Sequence, residues 1–140
     1  LGVTKITPLI TERTEVKLSG ERADKKMEHW QQIIISACEQ CQRNILPELS
    51  EPQNFSDWID TCDAELKFVL HHRNNQGFSK DKSAKNISLL IGPEGGLDND
   101  EIAQAVAKNF SPLTLGPRVL RTETAPVAAI SLVQYLWGDF

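Results

Sequence analysis

Residues 87–97 read ISLLIGPEGGL, and this stretch decides the fold. The apolar run Ile87–Ile91 stops at a Gly92-Pro93-Glu94-Gly95-Gly96 turn. A short apolar run without polar alternation marks a strand covered on both faces, as in parallel sheets. Beyond the turn, Asp98 is placed to cap a helix and Glu101 lies three residues later. Leu97 and Ile102 flank that cap at the spacing of a hydrophobic staple. Ile102, Ala105 and Val106 then supply an apolar helix face. The unit is strand, glycine turn, helix.

Working towards the C-terminus, Leu113–Leu115 reads as a third short strand. The final helix is expected to start near Thr124, to accept Pro126 in its first turn and to end at Gly138. Its positions Val127, Ala128, Ile130, Leu132, Val133, Leu136 and Trp137 cover too much surface for one contact. Such breadth implies burial on two sides, against its own sheet and a second subunit.

Towards the N-terminus, Leu66–Leu70 (LKFVL) is another buried strand, followed by a polar loop over His71–Lys85. Asn54–Thr61 reads as a short helix. Ser19–Arg43 is the longest helical segment, with Ile33, Ile34, Ala37, Cys38 and Cys41 as its buried stripe. Asn44 and Pro47 are expected to stop it. Lys5–Thr11 reads as a strand, with Pro8 marking an edge or bulge. Alternating short strands and helices imply an α/β fold, a mainly parallel sheet with helices on both faces.

The 140 residues fit one domain, and 40% hydrophobic with 24% charged residues is ordinary for a globular protein. No apolar run approaches the roughly 20 residues that span a bilayer, so no membrane partner is expected. LGVTKITPLI lacks the basic flank and apolar stretch of a signal peptide. Leu1 and Gly2 read like the end of an element, so a fragment lacking its upstream part is expected. The net charge of −4 argues against a surface that grips RNA everywhere. A local basic site remains open, since Arg13, Arg22, Lys25, Lys26, Arg43, Arg118 and Arg121 could converge. Cys38, Cys41 and Cys62 read as reduced thiols of a cytoplasmic protein. Cys38-x-x-Cys41 has no second ligand pair at metal-site spacing, so core packing is the favoured reading and no metal is expected.

In open α/β sheets, ligands bind beyond the carboxyl ends of the strands. Two loops there are anchored on glycine. Gly92–Gly96 lacks the Lys-Ser/Thr ending of a P-loop and the G-x-G-x-x-G of dinucleotide binders. On the residues alone, a tight turn with an exposed Glu94 and a ligand loop are both open readings. The second loop, Leu115–Ala125 (LGPRVLRTETA), sets two arginines, a glutamate and two hydroxyls between a buried strand and an apolar helix. A solvated loop with Thr124 as helix cap accounts for Thr124 well and for Arg121 poorly.

GPEGGL at Gly92–Leu97 followed by LGPRVLRTETA resembles the RsmE family of ribosomal RNA uridine N3-methyltransferases, within the SPOUT superfamily of knotted enzymes. Leu1-Gly2-Val3, Glu12-Arg13 and Trp30…Glu39-Gln40-Cys41-Gln42-Arg43 with Leu46-Pro47 extend the likeness over nearly the whole chain. The resemblance implies a C-terminal deep trefoil knot, a rare exception to unknotted topology. It implies a homodimer, and a 1–140 catalytic domain that lacks its first strand and an upstream PUA-like RNA-binding domain. It implies S-adenosyl-L-methionine as cofactor, and ribosomal RNA or the small ribosomal subunit as partner.

In that reading the cofactor meets backbone at Leu115, Gly116 and Leu120, beside Leu70, His71 and Ile91. Gly92, Pro93, Glu94, Gly95 and Gly96 form another wall, completed by Val119, Arg121, Thr122, Thr124 and Ala125. Gly95→Val is then expected to abolish cofactor binding. Uracil N3 must lose a proton, so a carboxylate as base and a cation beside the uracil anion are needed. Arg121 is the first choice for the cation, Glu123 for the base, and Glu94 is its rival. Arg13 is expected to reach the target nucleotide, in the partner's site, by analogy with related knotted enzymes. Arg13, Arg43 and Arg118 are expected to contact RNA. The alternatives are a knotted ribose 2′-O-methyltransferase and a non-catalytic RNA-binding or assembly module.

Overall fold

The computed structural model describes residues 1–14, 20–71, 78 and 84–140. Its central sheet holds three strands: β5 (Leu66–Leu70), β6 (Ile87–Leu90) and β7 (Ser111–Leu113). Their order is β6-β5-β7, with both pairings parallel. Four two-residue strands lie upstream: β1 (Lys5–Ile6), β2 (Leu9–Ile10), β3 (Glu48–Leu49) and β4 (Gln53–Asn54). β1 pairs with β3 and β2 with β4, again in parallel.

Side-chain alternation along β5 assigns the two faces of the sheet. Val69 faces Phe55 and Ile59 of α2 (Phe55–Thr61) and Ala105 of α3 (Asn99–Ala107), in a core with Leu90, Leu97 and Phe110. Phe68 points the other way. It stacks on Trp137 of α4 (Thr124–Trp137), with ring centroids 6.1 Å apart, and meets Phe78 edge-on at 5.1 Å. Helices therefore cover both faces, as the alternation of elements predicts.

Several boundaries move for local reasons. The predicted strand Lys5–Thr11 is split by Thr7-Pro8, and the Pro8 carbonyl accepts from the Gln53 amide at 3.0 Å. β7 starts and ends two residues before the predicted Leu113–Leu115. Its Pro112 is tolerated because β7 is an edge strand.

The long helix α1 spans Glu21–Gln40 and stops before Asn44. Gln42 adopts a left-handed φ of 60°, the Arg43 amide bonds the Cys38 carbonyl, and the Gln42 amide bonds that of Glu39. This is a Schellman stop built without glycine. The same stop ends α3, with Asn109 at φ 66° and the Phe110 amide on the Ala105 carbonyl. Ser19 and most of the predicted loop His71–Lys85 lie outside the described residues.

The stripe of α1 is narrower than its periodicity implies. Ile34 and Cys38 are buried, whereas Ile33, Ala37 and Cys41 are exposed. Core packing thus holds for Cys38 and fails for Cys41, whose thiol donates to the Cys38 carbonyl.

The start of α3 follows the predicted capping box in full. The Asp98 carboxylate accepts from the amides of Asp100 and Glu101, and Glu101 returns a bond to the Asp98 amide. Asp98→Ala is expected to cost about 1 kcal/mol, as other lost caps do. Denaturant unfolding would show the midpoint fall with an unchanged slope.

Candidate active site

Because β5, β6 and β7 run parallel, their carboxyl ends open on one edge of the sheet. Three segments leave there: His71 after β5, Ile91–Gly96 after β6, and Thr114–Gly116 after β7. Two hydrogen bonds fasten the first to the third. The His71 amide donates to the Leu113 carbonyl at 3.0 Å, and the Thr114 hydroxyl donates to the His71 carbonyl at 2.8 Å. The predicted cofactor residues Leu70, His71, Ile91, Gly92, Leu115 and Gly116 are therefore gathered by topology.

The glycines differ in what they do. A Cβ on Gly92 would stand 2.7 Å from the Leu97 amide nitrogen, so the turn closes only without a side chain. Gly96 and Gly116 have φ of 70° and 85°, in the left-handed region. Gly95 has neither constraint. Its Cβ would lie 3.4 Å from Cβ and 3.5 Å from Cδ of Arg13. The turn itself is shut by the Gly96 amide on the Pro93 carbonyl at 2.8 Å.

The turn therefore tolerates a side chain at Gly95, and the added methyls of Gly95→Val press on Arg13.

Arg13 is brought to this edge within its own chain. Its Nη1 donates to the Gly95 carbonyl at 2.9 Å across 82 residues. Arg43 has a structural task, donating to the Val3 carbonyl and tying the end of α1 to the N-terminal segment. Sequence reasoning missed Glu101 as more than a cap. It is buried, and its second carboxylate oxygen accepts from the Glu12 amide at 2.9 Å. No spacing in the sequence signals that 89-residue link.

The loop after β7 is more open than its apolar flanks imply. Gly116, Pro117, Arg118, Val119, Arg121 and Glu123 are exposed, while Leu120, Thr122 and Ala125 are half-buried. Among the described residues, the amides of Leu115, Gly116 and Leu120 donate to no other backbone group. Arg121 and Glu123 form an ion pair at 3.8 Å with both side chains largely in solvent. The Arg121 carbonyl accepts from the amides of Thr124 and Ala125, both at 2.9 Å, and so starts α4. α4 thus starts at Thr124 as expected, with Glu123 and not Thr124 in the capping position.

A family model described as an RNA methyltransferase domain matches residues 1–134, and the chain belongs to that family. Curated relatives from Buchnera aphidicola and Bacillus subtilis carry the name ribosomal RNA small subunit methyltransferase E, in keeping with the RsmE likeness of its two loops. The chain is 38% identical to the protein of that name from Buchnera aphidicola (Acyrthosiphon pisum strain), over 100% of this chain and 56% of the relative. It is 37% identical to that of Bacillus subtilis, over 96% of this chain and 57% of the relative. The chain thus spans somewhat over half the length of these relatives.

Two solved structures are similar throughout. A Legionella pneumophila protein described as a methyltransferase, solved with the cofactor SAM, superposes with a TM-score of 0.93 at 44% identity. The match covers 99% of this chain and 58% of that one. The ribosomal RNA small subunit methyltransferase E of Neisseria gonorrhoeae, solved with S-adenosyl methionine, gives 0.90 at 40% identity, covering 99% and 57%.

Proposed function

We propose that this chain is the catalytic part of an S-adenosylmethionine-dependent enzyme that methylates N3 of a uridine in small-subunit (16S) ribosomal RNA. The observation that carries the reading is the single edge where three parallel strands end in two glycine loops, with backbone amides at Leu115, Gly116 and Leu120 that donate to no backbone group among the described residues. Among the described residues, none beyond its chain neighbours stands within 4 Å of the Cβ position of Gly116, so a planar ligand can lie against its backbone. The residues therefore fit the cofactor, with Leu115, Gly116 and Leu120 holding the adenine and Gly92–Gly96 forming a second wall. When bound, it supplies a methyl group on a positively charged sulfur, which needs no further activation.

The chain's own residues must prepare the nucleophile. Arg121 and Glu123 set a cation beside a carboxylate on one exposed loop. Exposed ion pairs are weak, so a uracil ring can separate them at small cost. Glu123 then accepts the N3 proton and Arg121 faces the charge left on the ring. The N3 electron pair would take the methyl carbon, and the electron pair of the broken carbon–sulfur bond would stay on the sulfur as a neutral thioether. Glu94, exposed on the first loop, is the alternative proton acceptor. Arg13 and Arg118 contact the RNA backbone, which positions the target without specifying it.

The reading includes a homodimer. Ile33 of α1 and Val127, Leu132 and Tyr135 of α4 are large side chains left exposed in the single chain. Such apolar surface is the mark of a partner face. It also includes a trefoil knot at the C-terminal segments, an RNA-binding domain elsewhere in the protein, and a cytoplasmic location.

Calorimetric titration with S-adenosylmethionine tests the cofactor, and no heat of binding would reject the enzyme reading in favour of an RNA-binding module. Nuclease digestion and mass spectrometry of methylated 16S RNA test the position. A methyl group on ribose instead of on the base would reject the N3 assignment.

A further inference from the structure

We infer that Glu101 is a positioning residue that fixes Arg13 at the methyl-transfer site. The inference rests on the reading above, in which Arg13 serves that site.

Glu101 is the buried charged side chain among the described residues, at 7% exposure. A capping box asks one oxygen of its glutamate, here the Oε2 that accepts from the Asp98 amide at 2.9 Å. The other oxygen leaves the helix. Oε1 accepts from the Glu12 amide, also at 2.9 Å. One carboxylate thus clamps the loop that follows β6 to the segment that follows β2.

That second segment is braced by its own hydrogen bonds. The Thr14 amide donates to the Thr11 carbonyl at 3.1 Å, and the Thr11 amide donates to the Thr14 hydroxyl at 3.0 Å. The two threonine hydroxyls are 2.8 Å apart. A turn braced in this way moves as a unit, so its attachment point decides where Arg13 stands. Glu101 holds the residue before Arg13, and the Gly95 carbonyl holds its guanidinium at 2.9 Å. A guanidinium has five N–H donors, and this bond takes one of them. A long side chain fixed at both ends presents the others with little further loss of rotamer freedom.

The test is a double-mutant cycle in single-turnover methyl transfer, using the complete protein. Glu101→Gln can keep one of the two accepted bonds and places an N–H against the other donor. Its rate is expected to fall about tenfold, the scale of a sub-ångström misplacement, with cofactor affinity near wild type. Added to Arg13→Ala, the same change is expected to cost nothing more, because the group it positions is gone. Asp98→Ala breaks the cap without touching the Glu12 link, and should lower the melting temperature while keeping the rate. Should Glu101→Gln lose cooperative unfolding, Thr14→Val loosens the same turn from its other side and is expected to show the same Arg13-dependent loss.

Additive losses in Glu101→Gln and Arg13→Ala would overturn the inference, as would a wild-type rate for Thr14→Val. A slow Arg13→Ala beside a fast Glu101→Gln overturns the inference and leaves the reading of Arg13 standing. A wild-type rate for Arg13→Ala overturns that reading and the inference with it.

Discussion

Gly92→Ala is expected to cut cofactor affinity about 10- to 100-fold while the chain stays folded. The cause is geometric. The new methyl would stand 2.7 Å from the Leu97 amide nitrogen and 3.1 Å from the Gly96 carbonyl carbon. Both are backbone atoms, so neither can rotate aside as a flexible side chain would. Leu97 cannot retreat either, because it is buried in the core with Phe55, Val69 and Leu90. The strain falls on the turn, at about 1–3 kcal/mol. Each 1.4 kcal/mol taken from the binding-competent loop is a factor of ten. Titration calorimetry with S-adenosylhomocysteine reads the loss, and thermal unfolding checks that the domain survives. Wild-type affinity in a folded variant would remove the first loop from the cofactor site.

Arg121→Ala is expected to lower the single-turnover rate about 100- to 1,000-fold, the range seen when one charge-stabilising group is removed from a transition state. The pairing with Glu123 gives the experiment a second arm. Arg121 and Glu123 are exposed and 3.8 Å apart, so their mutual attraction adds little to stability. Both Arg121→Ala and Glu123→Gln should therefore keep the wild-type melting temperature. If both kept the wild-type rate at saturating RNA and cofactor, neither residue would carry the chemistry. A loss confined to Arg121→Ala would pass the role of base to Glu94.

The β6–turn–α3 unit was fully legible, because each of its signals is local. An apolar run, a glycine turn and a capping box need no knowledge of the rest of the chain. The strands β3 and β4 were not legible. Two residues each, with Glu48, Gln53 and Asn54 among them, carry no period, and they exist only because β1 and β2 lie beside them. Tertiary pairing also split Lys5–Thr11 at Pro8.

The candidate site was legible as a pair of loops and illegible as an arrangement. Gly92 and Gly95 look alike in the sequence, yet one is barred from a side chain by backbone and the other faces Arg13. The stripe on α1 shows the converse. Its period is genuine, but three of its five positions are left exposed by the described residues, and periodicity does not say which surface does the covering.

Segments far apart in the sequence meet. The side chain of Gln134 donates to the Leu1 carbonyl at 2.8 Å, across 133 residues. It also fills the space above Gly2 and Gly138, where any side chain would collide with it. Arg43 holds the same N-terminal segment at Val3. Contacts this distant in sequence carry a large loop-closure cost, so the link between residues 1–3, α1 and α4 forms late in folding, after local units such as β6–turn–α3.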